Sequence, residues 1–208
     1  MATTGDPRTR KPWLKRQRPW PRRDGVFRFT VNQFSKLDDL GFFEDRHVEL
    51  IEGVIYEMTM KPAHATATEL TDEALRTVFQ GRWHVRQSKA LDVGRRSLPE
   101  PDAAVVVGTI RDYAETHPRS AVLLVEVSDS TLRKDRTLKV HLYAFAGFPD
   151  YWIVNLVDRQ LEIYRSPGPD PVRKGRFTYA DVTIIPADGH ASPLAAPGAR
   201  IAVADLLP

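Results

Sequence analysis

The chain has 208 residues, 42% of them hydrophobic and 27% charged, with a formal net charge of +3, which suits a soluble α/β domain plus a tail. It has no cysteine, which excludes disulfides and thiolate metal sites and permits a reducing cytoplasm. Its longest apolar runs, 103–107 and 121–125, fall far short of the ~20 residues of a membrane span, and its basic N-terminus lacks the apolar segment of a secretory signal.

The charge is uneven. Residues 1–25 carry eight cations, Arg8, Arg10, Lys11, Lys15, Arg16, Arg18, Arg22 and Arg23, against Asp6 and Asp24. Taking this +6 from the total of +3 leaves residues 26–208 at −3. Pro7, Pro12, Pro19 and Pro21 lie in the same stretch, so 1–25 reads as a disordered basic arm and 26–208 as the folded domain. Trp13 and Trp20 sit among the cations. Arg16, Arg18, Arg22 and Arg23 are candidates for phosphate contact with the indoles stacking on bases; a merely solvated extension fits equally.

Apolar residues at 31, 34, 37 and 40 predict a first helix ended by Gly41. Strands at 47–51 and 54–58 flank Glu52-Gly53 as a hairpin. Pro62 opens a helix to about residue 79, with Leu70, Ala74, Leu75 and Val78 as its stripe. Short strands follow at 83–87 and 90–93, and stronger ones at 102–107 and 121–128. A helix at 131–145 is capped by Asp129 or Ser130 and stopped by Gly147 and Pro149. A second hairpin spans 151–156 and 160–165, then a Pro/Gly loop covers 166–174, and strands at 177–185 and 200–203 close the chain. This order predicts a mixed central β-sheet flanked by helices.

Three residues stand out: Asp102 at the start of a buried strand, Glu126 inside the apolar run 122–128, and Lys139 on the next helix. A carboxylate within an apolar strand is costly unless paired or bound to a metal. Alternation places Glu126 and Ser128 on one face with Val122 and Leu124. Carboxylates from neighbouring strands make an oxygen site suited to Mg²⁺ or Mn²⁺. Lys139 lies about 12 Å along its helix, and Glu126 about 7 Å below its strand end, so the two reach comparable depth. Asp135, Lys139 and Tyr143 share a helix edge. Each residue also has a plainer reading: an ion pair with an arginine for Glu126, a turn residue for Asp102, and an exposed pair with Asp135 for Lys139. His47, His84, His117, His141 and His190 show no paired ligand spacing, which argues against zinc.

The segments Glu49-Leu-Ile-Glu-Gly53 with Val54-Ile-Tyr56, Pro101-Asp102, Val125-Glu-Val-Ser128 with Asp135, Lys139 and Tyr143, and Asp150-Tyr-Trp-Ile-Val154 together resemble the Uma2 family, also called DUF820. That family is described as restriction-endonuclease-like, with the PD-(D/E)XK fold, and the resemblance runs from about residue 30 to 208. It implies a metal-dependent endonuclease hydrolysing phosphodiester bonds in DNA. Asp102 and Glu126 would be metal ligands, helped by the backbone carbonyl of Val127, and Lys139 would be the catalytic lysine. Glu49 would be a further carboxylate or a hairpin salt bridge. His64 falls where the family often has histidine and would line the site or serve structure. The chain departs from the wider superfamily at Ser128, where its lysine would stand. The alternative is therefore a catalytically weak nucleic-acid-binding or regulatory protein that retains the nuclease fold. A homodimer stays open.

Overall fold

The computed structural model describes residues 25–208. The proposed arm contacts Arg16, Arg18, Arg22 and Arg23 lie outside the described residues. Helix α1 (Val31–Asp39) starts from a capping box between Thr30 and Gln33 and ends before Gly41, whose φ is +76°. Strands β1 (Val48–Ile51) and β2 (Val54–Glu57) form the expected hairpin. Both turn residues have positive φ, Glu52 at 50° and Gly53 at 80°. A Cβ at position 53 would stand 2.7 Å from the Arg28 Cβ and 2.9 Å from the Phe29 carbonyl oxygen, so only glycine fits there.

Helix α2 (Pro62–Val78) carries proline at its first turn. The central sheet follows in the order β3 (Trp83–Gln87), β4 (Ala103–Val107), β5 (Leu123–Ser128), β6 (Asp150–Asn155), β7 (Gln160–Pro169) and β8 (Phe177–Pro186). Neighbours pair antiparallel except β5 and β6, which run parallel. A parallel pair needs a crossover. Here it is a broken helix: α3 (Leu132–Lys134), a π turn (Asp135–Lys139) and α4 (Val140–Ala146), closed by Gly147 at φ 78°. Two short strands, β9 (His190–Ala191) and β10 (Ile201–Ala202), pair with each other, and a 3₁₀ turn (Val203–Leu206) follows.

Both sheet faces are covered. On one, Leu75 of α2 and Phe79 just after it pack on Val105, Val125, Trp152 and Leu161, with Val203 and Leu206. On the other, Val140, Tyr143 and Ala144 of α4 pack on Ala104, Leu124, Tyr151 and Ile153. A third cluster joins α1 to the β1–β2 hairpin through Phe34, Phe43 and Leu50. The expected mixed α/β architecture with a flanked central sheet is therefore present. All six residues of β5 are buried, which makes it the floor on which the site is built. No helix of the described residues is long and apolar enough to cross a membrane.

Four local expectations are corrected. The 90–93 segment is irregular, and its main-chain groups pair with the chain beyond it, as in Leu91 N to Pro99 O at 2.9 Å. Strand β7 continues to Pro169 through the expected loop, paired with β8 except at Ser166, whose φ is 60°. The last strand is two residues long before the 3₁₀ turn takes over. The predicted helix at 131–145 is divided by the π turn, and Thr131 stands at its start, while Asp129 pairs with Lys61 at 2.8 Å.

Candidate active site

The C-terminal half of β5, the start of β4, the β1 strand, the first turn of α2 and the π turn converge on one cleft. It encloses about 510 Å³, counting its solvent-filled mouth, and His64, Asp102, Glu126, Lys134, Asp135 and Lys139 line it. β5 alternation sends Val125 and Val127 into the α2-side core and Glu126 and Ser128 to the opposite face. Glu126 Oε1 accepts from Lys139 Nζ at 2.8 Å and from the Tyr143 hydroxyl at 2.7 Å.

Lys139 is 2% exposed, so it is a buried cation rather than the edge residue the sequence suggested. Its Nζ also lies 3.2 Å from Glu49 Oε2. Glu49 is itself fully buried; its Oε1 takes Lys134 Nζ at 3.0 Å and its Oε2 the Glu100 amide at 3.2 Å. Glu49 therefore bridges two lysines, and the simple hairpin salt bridge is replaced by a partnership with the crossover helix. Asp135 does not pair with Lys139, as i, i+4 spacing suggested. Its Oδ2 accepts from Ser128 Oγ at 2.8 Å and Thr131 Oγ1 at 2.6 Å. Ser128 thus anchors Asp135.

Asp102 Oδ2 accepts from the Val127 amide at 2.7 Å and lies 3.3 Å from His64 Nε2. The His64 ring is held by Asp102 and also by the Val127 backbone. Asp102, Val127 and His64 therefore form one group on the cleft wall. Among the described residues, Asp102 Oδ1 and Glu126 Oε2 carry no hydrogen bond.

Electrostatics follow from burial. Desolvation pushes the Glu126 carboxyl well above its ordinary range; Lys139 opposes the shift, while Asp102, Asp135 and Glu49 reinforce it. Burial likewise raises Asp135. Burial alone would lower the Lys139 ammonium, but Glu126, Glu49 and Asp135 outweigh it and keep it charged. Burial would also raise Glu49, yet Lys139, Lys134 and the Glu100 amide hold it below its ordinary range. The hydrogen bond to Asp102 raises His64 against its burial. Five carboxyl groups, Glu49, Glu100, Asp102, Glu126 and Asp135, stand in or against the cleft with the two ammonium groups of Lys134 and Lys139 and the imidazoles of His47 and His64. Carboxyl groups outnumber ammonium groups there.

That set of carboxyl groups, two carboxylate oxygens without a partner and an adjacent main-chain carbonyl fit a hard divalent cation that keeps several waters. Among the described residues no three His, Asp or Glu side chains form a ready-made metal cage, so protein ligation would rest on Asp102, Glu126 and Val127. Sequence reasoning brought Asp102, Glu126, Lys139, Tyr143, Asp135, Ser128, His64 and Glu49 into view, and all lie in or against this cleft. It missed Lys134 and Thr131, whose side chains reach the site from the start of the crossover, just after β5.

The Uma2 family profile, described as "Putative restriction endonuclease", matches residues 31–204. The chain belongs to the Uma2 family. Its fold is similar to a crystal structure of a "putative nuclease belonging to DUF820" from Anabaena variabilis ATCC 29413. The TM-score is 0.64 and the identity 16%, covering 86% of this chain and 97% of that one. No curated protein matches the chain significantly. Family and fold together support a nuclease.

Proposed function

We propose that this Uma2 protein is a divalent-metal-dependent endonuclease of the PD-(D/E)XK type that hydrolyses phosphodiester bonds in DNA. The observation that carries the reading is the carboxylate cluster at the end of β5, with a buried, charged lysine 2.8 Å from Glu126. Asp102, Glu126 and the Val127 carbonyl would hold Mg²⁺ or Mn²⁺. When bound, such a cation supplies Lewis acidity toward a phosphodiester and acidifies water in its shell. Lys139 offsets the negative charge that develops on the phosphoryl oxygens, a role for which a preorganised, desolvated ammonium is effective. Tyr143 donates to Glu126 and holds its second oxygen toward the cleft. His64 and the Val127 amide fix the Asp102 carboxylate in the same way. The basic arm, with Arg16, Arg18, Arg22 and Arg23, would add phosphate contacts outside the cleft.

A second reading has one observation in its favour. Ser128 Oγ is committed to Asp135 and supplies no charge to the cleft, as in a nucleic-acid-binding protein that kept the fold and lost the rate. The Lys139→Met variant separates the two. If Lys139 is the catalytic cation, Mn²⁺-dependent cleavage of duplex DNA falls by about a hundredfold or more. Tyr143 still holds Glu126 and Lys134 still holds Glu49, so the variant should fold. Cleavage by Lys139→Met at the wild-type rate would remove Lys139 from the mechanism, and no cleavage by the wild type would favour the second reading.

A further inference from the structure

Lys134 and Lys139 are five residues apart. In a regular α-helix that separation turns the chain by about 500°, which leaves the two side chains about 140° apart on the helix surface. They could not then meet one partner. The segment Asp135–Lys139 is instead a π turn, with the Val140 amide donating to the Asp135 carbonyl five residues back. The widened turn brings residue 139 back toward the face that residue 134 occupies. The Tyr151 hydroxyl, 3.3 Å from the same Asp135 carbonyl, supports the widened turn from the sheet. The outcome is that both ammonium groups reach the two oxygens of a single buried carboxylate, Glu49, at 3.0 and 3.2 Å.

The two lysines differ in what else they see. Lys139 is buried and turns its charge inward onto Glu126. Lys134 has a side chain 22% exposed, lies at the cleft surface, and has its ammonium 5.7 Å from the centre of the Tyr56 ring. Tyr56 and Glu49 flank it from adjacent strands of the hairpin, directly opposite each other in register. Lys134 is thus a cation held at a fixed point, at the place where a polyanion entering the cleft would arrive.

We infer that Lys134 is a substrate-binding residue: it holds a backbone phosphate of the nucleic acid beside the one that reacts, and Glu49 is the positioning residue that sets Lys134 and Lys139 at a fixed spacing. Glu49 gives one oxygen to each lysine, and the 22% exposure of the Lys134 side chain leaves its ammonium within reach of a phosphate at the cleft surface. The inference rests on the nuclease reading above, with Lys139 acting on the reacting phosphate and Lys134 on its neighbour.

The test uses the full chain and a fluorescein-labelled DNA duplex. Binding is followed by anisotropy in EDTA across a range of salt concentrations, and cleavage is followed separately in Mn²⁺. Lys134→Met should weaken binding about tenfold and reduce the slope of log K against log salt by about 0.9, the value of one phosphate contact. In cleavage the loss should fall on KM more than on kcat, opposite to Lys139→Met. Lys134→Arg keeps the charge and should restore both slope and KM, which a merely structural partner of Glu49 would not require. Glu49→Gln should loosen both lysines and affect KM and kcat together. If Lys134→Met fails to fold, Lys134→Gln gives the same readout. An unchanged salt slope in the charge-removing variant, with the wild type binding DNA, would overturn the role of Lys134 and leave the nuclease reading standing. A wild type that binds no DNA at any salt would overturn both.

Discussion

Two of the carboxylates buried on the central sheet are treated in opposite ways. Glu162, on β7, is 2% exposed and receives Arg136 Nε on both oxygens, at 3.2 and 3.0 Å, with Asn155 and Tyr164 completing its shell. Burial would raise its pKa, but the hydrogen bonds from Arg136, Asn155 and Tyr164 outweigh it and hold it below the ordinary 4.5. Glu126, on β5, has one lysine shared with Glu49, and Asp102 and Asp135 crowd it. Its carboxyl is pushed upward. The first acid is a finished structural device; the second is left incomplete beside a cleft. A buried titratable group that is shifted and under-compensated in a cleft marks function, while one fully satisfied by a bidentate arginine marks a fold.

The largest contrast should come from removing each acid's cation. Lys139→Met should cost about a hundredfold in cleavage, with a modest loss of stability. Arg136→Met should do the reverse. It leaves Glu162 buried with Asn155 and Tyr164 alone, and should lower unfolding stability by about 2 kcal/mol, discounted because the Arg136 side chain is 38% exposed. Urea titration gives the second quantity. An Arg136→Met enzyme as slow as Lys139→Met would erase the distinction.

The same contrast was only partly legible in the sequence. The period-2 alternation of 122–128 put Glu126 and Ser128 on one face, and the i, i+4 spacing put Lys139 and Tyr143 on one helix edge. The shared faces hold, because local geometry decides them, but Lys139 and Tyr143 are buried against the sheet rather than placed at a helix edge. The π turn could not be read, since nothing in the sequence Asp-Arg-Thr-Leu-Lys breaks the α pattern; the sheet contact from Tyr151 supports it. The meeting of Lys134 and Lys139 on Glu49 was hidden for that reason. Glu49 read equally as a site carboxylate or a hairpin salt bridge, because its burial depends on a helix eighty-five residues away in the chain. Arg136 and Glu162 went unnoticed because a long-range ion pair leaves no periodic trace. The strand end at Pro169 was missed because prolines and a glycine read as a loop, while β8 supplies enough pairing to hold them in the sheet.

A smaller effect concerns pH. Glu162 has a folded pKa below its unfolded value, so the native state binds fewer protons than the unfolded chain in that window. Its contribution is present above 4.5 and is lost as pH falls through the lowered folded value. Glu162→Gln should therefore be less stable than wild type near neutrality, by about 1 kcal/mol, and the difference should close on acidification below 4.5. Thermal unfolding across pH 3 to 7, on the order of the carboxylate range, measures it. A difference that widened toward acid would place the charge cost of Glu162 on the wrong side.

The central claim is that the carboxyl group of Asp102 and that of Glu126 together hold a divalent cation. Calorimetric unfolding of the full chain during a Mn²⁺ titration tests it, because a ligand that binds the native state raises the melting temperature with concentration. The melting temperature should rise steadily for the wild type and for Arg136→Met, and should stay flat for Asp102→Asn. An equal rise in Asp102→Asn, or no rise in the wild type, would contradict the account.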